Sequence, residues 1–176
     1  MKEYSIFLGS SIMPPMCYDR HALGNFIRKV NDAFRGQNME LYLLLYMCEL
    51  EDPTIAPGAR AEKQKEYDQQ IALRTDLFVN LYAASVGEFT KRELNVAKDA
   101  LDPENVLIMF RDTREADESV GQLQQELNAE ERTYHTYTNV DEVKRALIRW
   151  LMSKEPTCPI FMEGNMIRIG EETVLR

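Results

Sequence analysis

Residues 77–97, LFVNLYAASVGEFTKRELNVA, decide the fold. LFVNLY at 77–82 reads as a buried strand. AASVGEF at 83–89 is small and polar, and it leads into a helix over 87–101 that stops before Asp102-Pro103. This is one β–α unit, and the same grammar repeats on either side of it. Upstream, YSIFLG at 4–9 is a strand ending in Gly9-Ser10-Ser11. A helix follows over 18–34, with Leu23, Phe26, Ile27, Val30, Ala33 and Phe34 at helical spacing and Gly36 placed to cap it. ELYLLLYM at 40–47 is apolar on both faces, the pattern of a central parallel strand. A loop marked by Pro53, Pro57 and Gly58 spans 49–58, and a polar helix with Tyr67 and Ile71 inward spans 61–73. Downstream, VLIMF at 106–110 is a strand, 115–131 a weakly amphipathic helix, 133–138 a strand, and 140–152 a helix with Asn139 or Asp141 near its N-cap.

Five β–α units in strict alternation imply a parallel sheet with helices on both faces. At this size the natural strand order is 2-1-3-4-5, a flavodoxin-like three-layer α/β/α sandwich. The 176 residues suit a single domain of about 100–200 residues. Residues 1–153 hold that α/β domain. Residues 154–176 form a different C-terminal extension, read as a hairpin or as a linker to a further domain beyond Arg176. Lys and Arg total 21 against 29 Asp and Glu, a net charge of −8. That balance disfavours nucleic acid and anionic membrane as partners. Cys17, Cys48 and Cys158 are widely spaced, with no CxxC and no Cys/His cluster, so no metal site is expected, and the sparse count fits a reducing compartment. No stretch approaches the length of a signal or membrane-spanning segment, and the chain reads as cytoplasmic.

In a doubly wound sheet, ligands bind outside the carboxyl ends of the strands, where the strand order reverses. Here that point lies between the first and third strands. The loops meeting there carry Gly9, Ser10, Ser11, Ser85, Gly87 and Thr90, which admit close backbone approach and offer hydroxyls. An ordinary βα turn favours the same residues. Glu93 sits near this edge on the third helix, with Phe89, Ala97 and Ala100 on its helical face and no cation at ±3 or ±4. A carboxylate on an apolar stripe is costly unless used or paired. It could stabilise a cationic sugar transition state or act as a nucleophile. It could equally be a structural glutamate paired with a distant arginine such as Arg60 or Arg74. Glu88 and Arg92 are spaced as a solvated helical pair. The 49–58 loop could fold over the pocket, and Arg60 could neutralise a phosphate or lie simply exposed. His21 and His135 are far apart in sequence, and His21 reads as a solvated or capping residue. There is no GxxxxGK[ST] and no GxGxxG.

Together, YSIFLGSS, ELYLLLYMCELEDP, PGAR, EYDQQIALRTDLFVNLY and GEFTKRELNVA resemble the Toll/interleukin-1 receptor (TIR) superfamily over about residues 4–152. They look most like the TIR-like modules at the N-termini of large prokaryotic defence and signalling proteins. TIR enzymes are similar in placing a catalytic glutamate on the third helix, in a Ser-x-Trp-Cys-x-x-Glu-Leu type of motif. Here Glu93-Leu94 is kept, Thr90 takes the cysteine position and Phe89 stands where the family has tryptophan. Pro57-Gly58 matches the family's mobile loop, without its preceding Arg-Asp. The resemblance implies cleavage of the nicotinamide–ribose bond of NAD, with NAD as substrate and no other cofactor. It implies Glu93 on the ribose, Ser10 and Ser11 in the nucleotide pocket, and activation by self-association. TIR domains that only associate are the alternative. Nucleoside 2-deoxyribosyltransferases share a similar fold and use a glutamate in a Gly-Thr-x-x-Glu type of segment, to which 87–93 is loosely similar.

Overall fold

The computed structural model describes residues 1–47 and 57–176; most of the 49–58 loop, and the side chains of Pro57, Gly58 and Arg60, lie outside the described residues. Strands β1 (Lys2–Ser10), β2 (Leu41–Met47), β3 (Leu77–Tyr82), β4 (Val106–Arg111) and β5 (His135–Tyr137) form one parallel sheet in the order β2-β1-β3-β4-β5. Helices α1 (Met16–Gly36), α2 (Pro57–Arg74), α3 (Glu88–Ala100), α4 (Glu118–Ala129) and α5 (Val140–Lys154) alternate with the strands, and a single 3₁₀ turn at Pro103–Asn105 precedes β4. This is the flavodoxin-like arrangement expected from the alternating pattern. None of the described helices is long and apolar enough to cross a membrane.

The two-residue period of the strands sorts the core into two layers. Ile6, Leu8, Val79 and Leu81 pack against α1 and α5 on one face. Phe7, Phe78, Ile108 and Phe110 pack against α2, α3 and α4 on the other. Each fully buried large apolar side chain contributes about 1.5–3 kcal/mol of transfer free energy, so the double burial of β1 is what the fold rests on.

Local chemistry sets the element ends. α4 starts later than the apolar spacing implies, because Asp117 caps it by accepting from the Ser119 amide at 2.9 Å. α5 begins with a capping box: Asn139 accepts from the helix backbone, and Glu142 accepts from the Asn139 amide. Hydrogen bonds from the Thr138 amide and then the Asn139 amide hold the Glu142 carboxyl below its ordinary pKa. α1 runs through Gly36, and the left-handed residue after it is Asn38 (φ 53°), not the glycine. β2 is an edge strand despite its apolar sequence. Its outer side is covered at Leu43 by Asn31, whose amide nitrogen donates to the Leu43 carbonyl at 2.9 Å and whose oxygen accepts from the Leu43 amide at 2.8 Å.

The C-terminal residues form more than a hairpin. β6 (Ile160–Glu163), β7 (Met166–Ile169) and β8 (Glu172–Leu175) make a three-stranded antiparallel sheet, turning at Gly164 and Gly170, both at φ 56°. At such a φ any side chain would be strained. Ile160, Ile167, Ile169 and Val174 join the same buried cluster as α1 and α5. The meander is therefore part of the main core.

Ile167→Ala removes a fully buried side chain and is expected to cost about 2–5 kcal/mol. Urea unfolding followed by the single tryptophan, Trp150 on α5, is expected to show one transition shifted to lower denaturant. A separate transition for the C-terminal sheet, with the Trp150 signal unchanged, would contradict the shared core.

Candidate functional site at the carboxyl edge of the sheet

Strand alternation divides the predicted site residues between two faces. Gly9 faces the α2/α3 layer and Ser10 faces α1. A Cβ at residue 9 would lie 2.6 Å from Asn80 Nδ2 and 3.0 Å from Glu93 Oε2, so both side chains converge on the Gly9 backbone. Only glycine permits that approach. Glu93 is 1% exposed and Asn80 is completely buried. Asn80 Nδ2 donates to the Gly9 carbonyl at 3.4 Å. Its Oδ1, and Oε1 of buried Gln64 on α2, have no hydrogen-bond partner among the described residues. The Tyr82 hydroxyl donates to the Thr90 carbonyl at 3.4 Å, and its pKa is raised well above the ordinary value, first by burial and then by the Glu93 charge. A buried polar cluster thus lies where β1 and β3 end against α3.

Above it is a cleft of about 180 Å³, lined by Ser11, Tyr82, Ser85, Gly87 and Thr90 among others. Gly87 is the N-cap residue of α3, and Thr90 sits in the first turn. Three of the predicted pocket residues, Ser11, Gly87 and Thr90, are therefore brought together. Glu93 lies one turn further along α3, beneath the cleft and not in its wall.

Ser10 is held on the opposite face. Arg20 Nη1 donates to the Ser10 carbonyl at 3.1 Å and to Ser10 Oγ at 3.2 Å. The expected placing of Ser10 beside Glu93 gives way to this alternation. The predicted Glu88–Arg92 pair is also replaced: Arg92 reaches across to Asp68 on α2, with Nη2 at 2.6 Å from Oδ2. The side chain of Arg60 lies outside the described residues. His21 lies on the second turn of α1.

A second buried cluster escaped the sequence reading. Asp19 on α1 is 4% exposed. Arg111, the last residue of β4, donates to both of its oxygens at 2.7 and 2.6 Å, and the Tyr137 hydroxyl at the end of β5 donates at 2.9 Å. Burial and the Asp19 charge push the Tyr137 hydroxyl well above its ordinary pKa. The hydrogen bonds that Arg111 donates to Asp19 likewise raise the pKa of its guanidinium. The signal was present: Asp19 falls on the buried stripe of α1 with Met16, Leu23 and Phe26, and Asn80 interrupts LFVNLY. Among the described residues, no three His, Cys, Asp or Glu side chains converge to hold a metal ion.

Against protein-family models, curated proteins and solved structures, the chain finds no match.

Gly9→Ala is expected to cost about 1–3 kcal/mol by overpacking. In an Asn80→Ala background the cost falls, since the nearest obstruction is gone. Urea unfolding of the four proteins measures the cycle, and strictly additive costs would refute the convergence on Gly9. Asp19→Ala leaves a partly buried guanidinium without its carboxylate and is expected to lose about 3 kcal/mol by the same measurement.

Proposed function

We propose that this chain is a TIR-like domain that cleaves the nicotinamide–ribose bond of NAD, with Glu93 as the catalytic carboxylate. The observation that carries this reading is the position of Glu93. It is a buried carboxylate packed on Gly9 at the reversal point of the sheet, under a cleft of small and hydroxylated residues. In such surroundings a carboxylate stabilises positive charge more strongly than it could in water. Cleavage would proceed as nicotinamide leaves with the electron pair of its bond to C1′. The ribose becomes oxocarbenium-like, and Glu93 offsets that charge and orients the ribose hydroxyls. Water then adds at C1′ and loses a proton. Ser11, Gly87 and Thr90 are placed to receive the polar parts of the nucleotide. The α3 end of the cleft must open for the ribose to reach Glu93, and self-association is the proposed trigger.

A second reading has its own observation. The cleft of about 180 Å³ is below the roughly 300–1,000 Å³ usual for ligand pockets, and Glu93 is sealed beneath it. This supports a TIR-type association module in which Glu93 is structural.

NAD consumption and nicotinamide release, measured at high protein concentration with a crowding agent, separate the two. Glu93→Gln is expected to lower turnover about 10²–10³-fold with NAD still bound. Equal turnover in both proteins would remove Glu93 from the chemistry. Self-association without any turnover supports the module, and base exchange on deoxynucleosides without NAD cleavage supports deoxyribosyl transfer.

A further inference from the structure

A cleft larger than the one at the reversal point lies elsewhere on the fold. It is a groove of about 610 Å³ between α1 and the outer edge of β2, within the size range of small-molecule sites. Its two walls differ in chemistry. His21, Gly24, Arg28 and Asn31 line the α1 wall in one stripe, at spacings of three and four residues. The β2 wall is apolar, from Leu43, Leu45 and Met47 on the α1 face of the strand, with Tyr42 and Leu44 at the strand's edge.

Three observations specify what such a groove takes. First, the chain carries a net charge of −8, yet the charged side chains lining this groove are Arg20 and Arg28, with the His21 imidazole beside them and no Asp or Glu among the described lining residues. Second, among the described residues neither His21 nor Arg28 takes part in an ion pair, while Arg35 and Arg111 pair with Asp32 and Asp19. Arg28 Nη2 donates to Asn25 Oδ1, which braces the guanidinium over the groove. Third, residue 24 is a glycine in the middle of a long helix, at a cost of about 1 kcal/mol relative to alanine. A Cβ there would stand 3.2 Å from Met47 Cε, so the glycine keeps the floor between His21 and Arg28 low and lets β2 close on the helix. The polar backbone at the floor is already satisfied, because Asn31 takes both groups of Leu43.

The geometry points to a binding site in this groove for a small organic anion: a carboxylate, sulfonate or phosphate ester carried on a flat apolar body. The anionic group lies between His21 and Arg28, and the body lies along Leu45 and Met47. Buried Arg20 closes one end and holds Ser10 at the end of β1 through its other contacts. The site is separate from Glu93 and does not depend on the reaction proposed there.

The probe is 1-anilinonaphthalene-8-sulfonate, compared with N-phenyl-1-naphthylamine, which is the same ring system without the anion, and with inorganic sulfate, which is the anion without the rings. The full chain is expected to bind the sulfonated probe saturably at one site per chain, and to bind both comparators much more weakly. Arg28→Ala and His21→Ala are each expected to weaken binding about tenfold through loss of a hydrogen bond to the anion. Gly24→Leu fills the groove and is expected to abolish binding. Lys29→Ala, an exposed cation on the same helix, is expected to leave it unchanged. Thermal unfolding of each variant establishes that it is folded; should Gly24→Leu not fold, the exposed Arg28→Glu replaces it with the same expected loss. Equal affinity for the charged and neutral probes overturns the proposal. So does binding that is unaffected by Arg28→Ala and His21→Ala, or no saturable binding at all.

Discussion

The constraint on which the molecule depends is the position of β1. It pairs with β2 along one edge and with β3 along the other, and its alternating side chains are buried in both layers. A strand used on four sides has no freedom in register, because a one-residue slip would exchange Phe7 for Ile6 and Leu8 between the two cores. The same constraint fixes what the strand presents where it ends. Gly9 is turned to α3 and Ser10 to α1, so the two sides of the carboxyl edge acquire different chemistry. One side carries Asn80 and Glu93, and the other Arg20 and, further along the sheet, Asp19.

Two buried carboxylates sit at this edge, and their surroundings differ. Asp19 is met by a guanidinium and a phenol from the ends of two neighbouring strands. It thereby ties α1 to the far half of the sheet, where direct strand pairing with β1 does not reach. Removing any member would strand the others, the usual behaviour of a buried charged network. Glu93 instead lies against backbone and an amide, next to a phenol whose pKa its charge raises. The first arrangement serves cohesion. The second places a carboxyl group near an opening in the surface, and that contrast is why function is proposed at one and not at the other.

The five β–α units were legible because each strand is a short apolar run and each helix carries a periodic stripe. The C-terminal meander was only partly legible. Its strands are four residues long, too short for a period to declare itself, and the cluster that buries them includes α1, far away in sequence. The apolar reading of ELYLLLYM mistook an edge strand for a central one, because the cover on its outer side is a single asparagine side chain from α1. Glu93 was found by asking which polar residue stands on an apolar stripe. Asp19, Asn31 and Asn80 answer the same question, and each proved to be buried and hydrogen-bonded across the fold. Their partners lie 12 to 118 residues away, so sequence alone gives the question and not the answer.

The contact between Asn31 and Leu43 also bears on how copies of this chain can meet. An uncovered edge strand is a template for another strand. Here a side-chain amide already fills the donor and acceptor that an incoming strand would need at Leu43. At the other end of the sheet, β5 offers only His135–Tyr137. The five-stranded sheet is thus guarded at one end by a side chain and at the other by the shortness of its last strand. A strand that added to β2 would first have to displace the Asn31 side chain, so the helix that covers the edge also guards it.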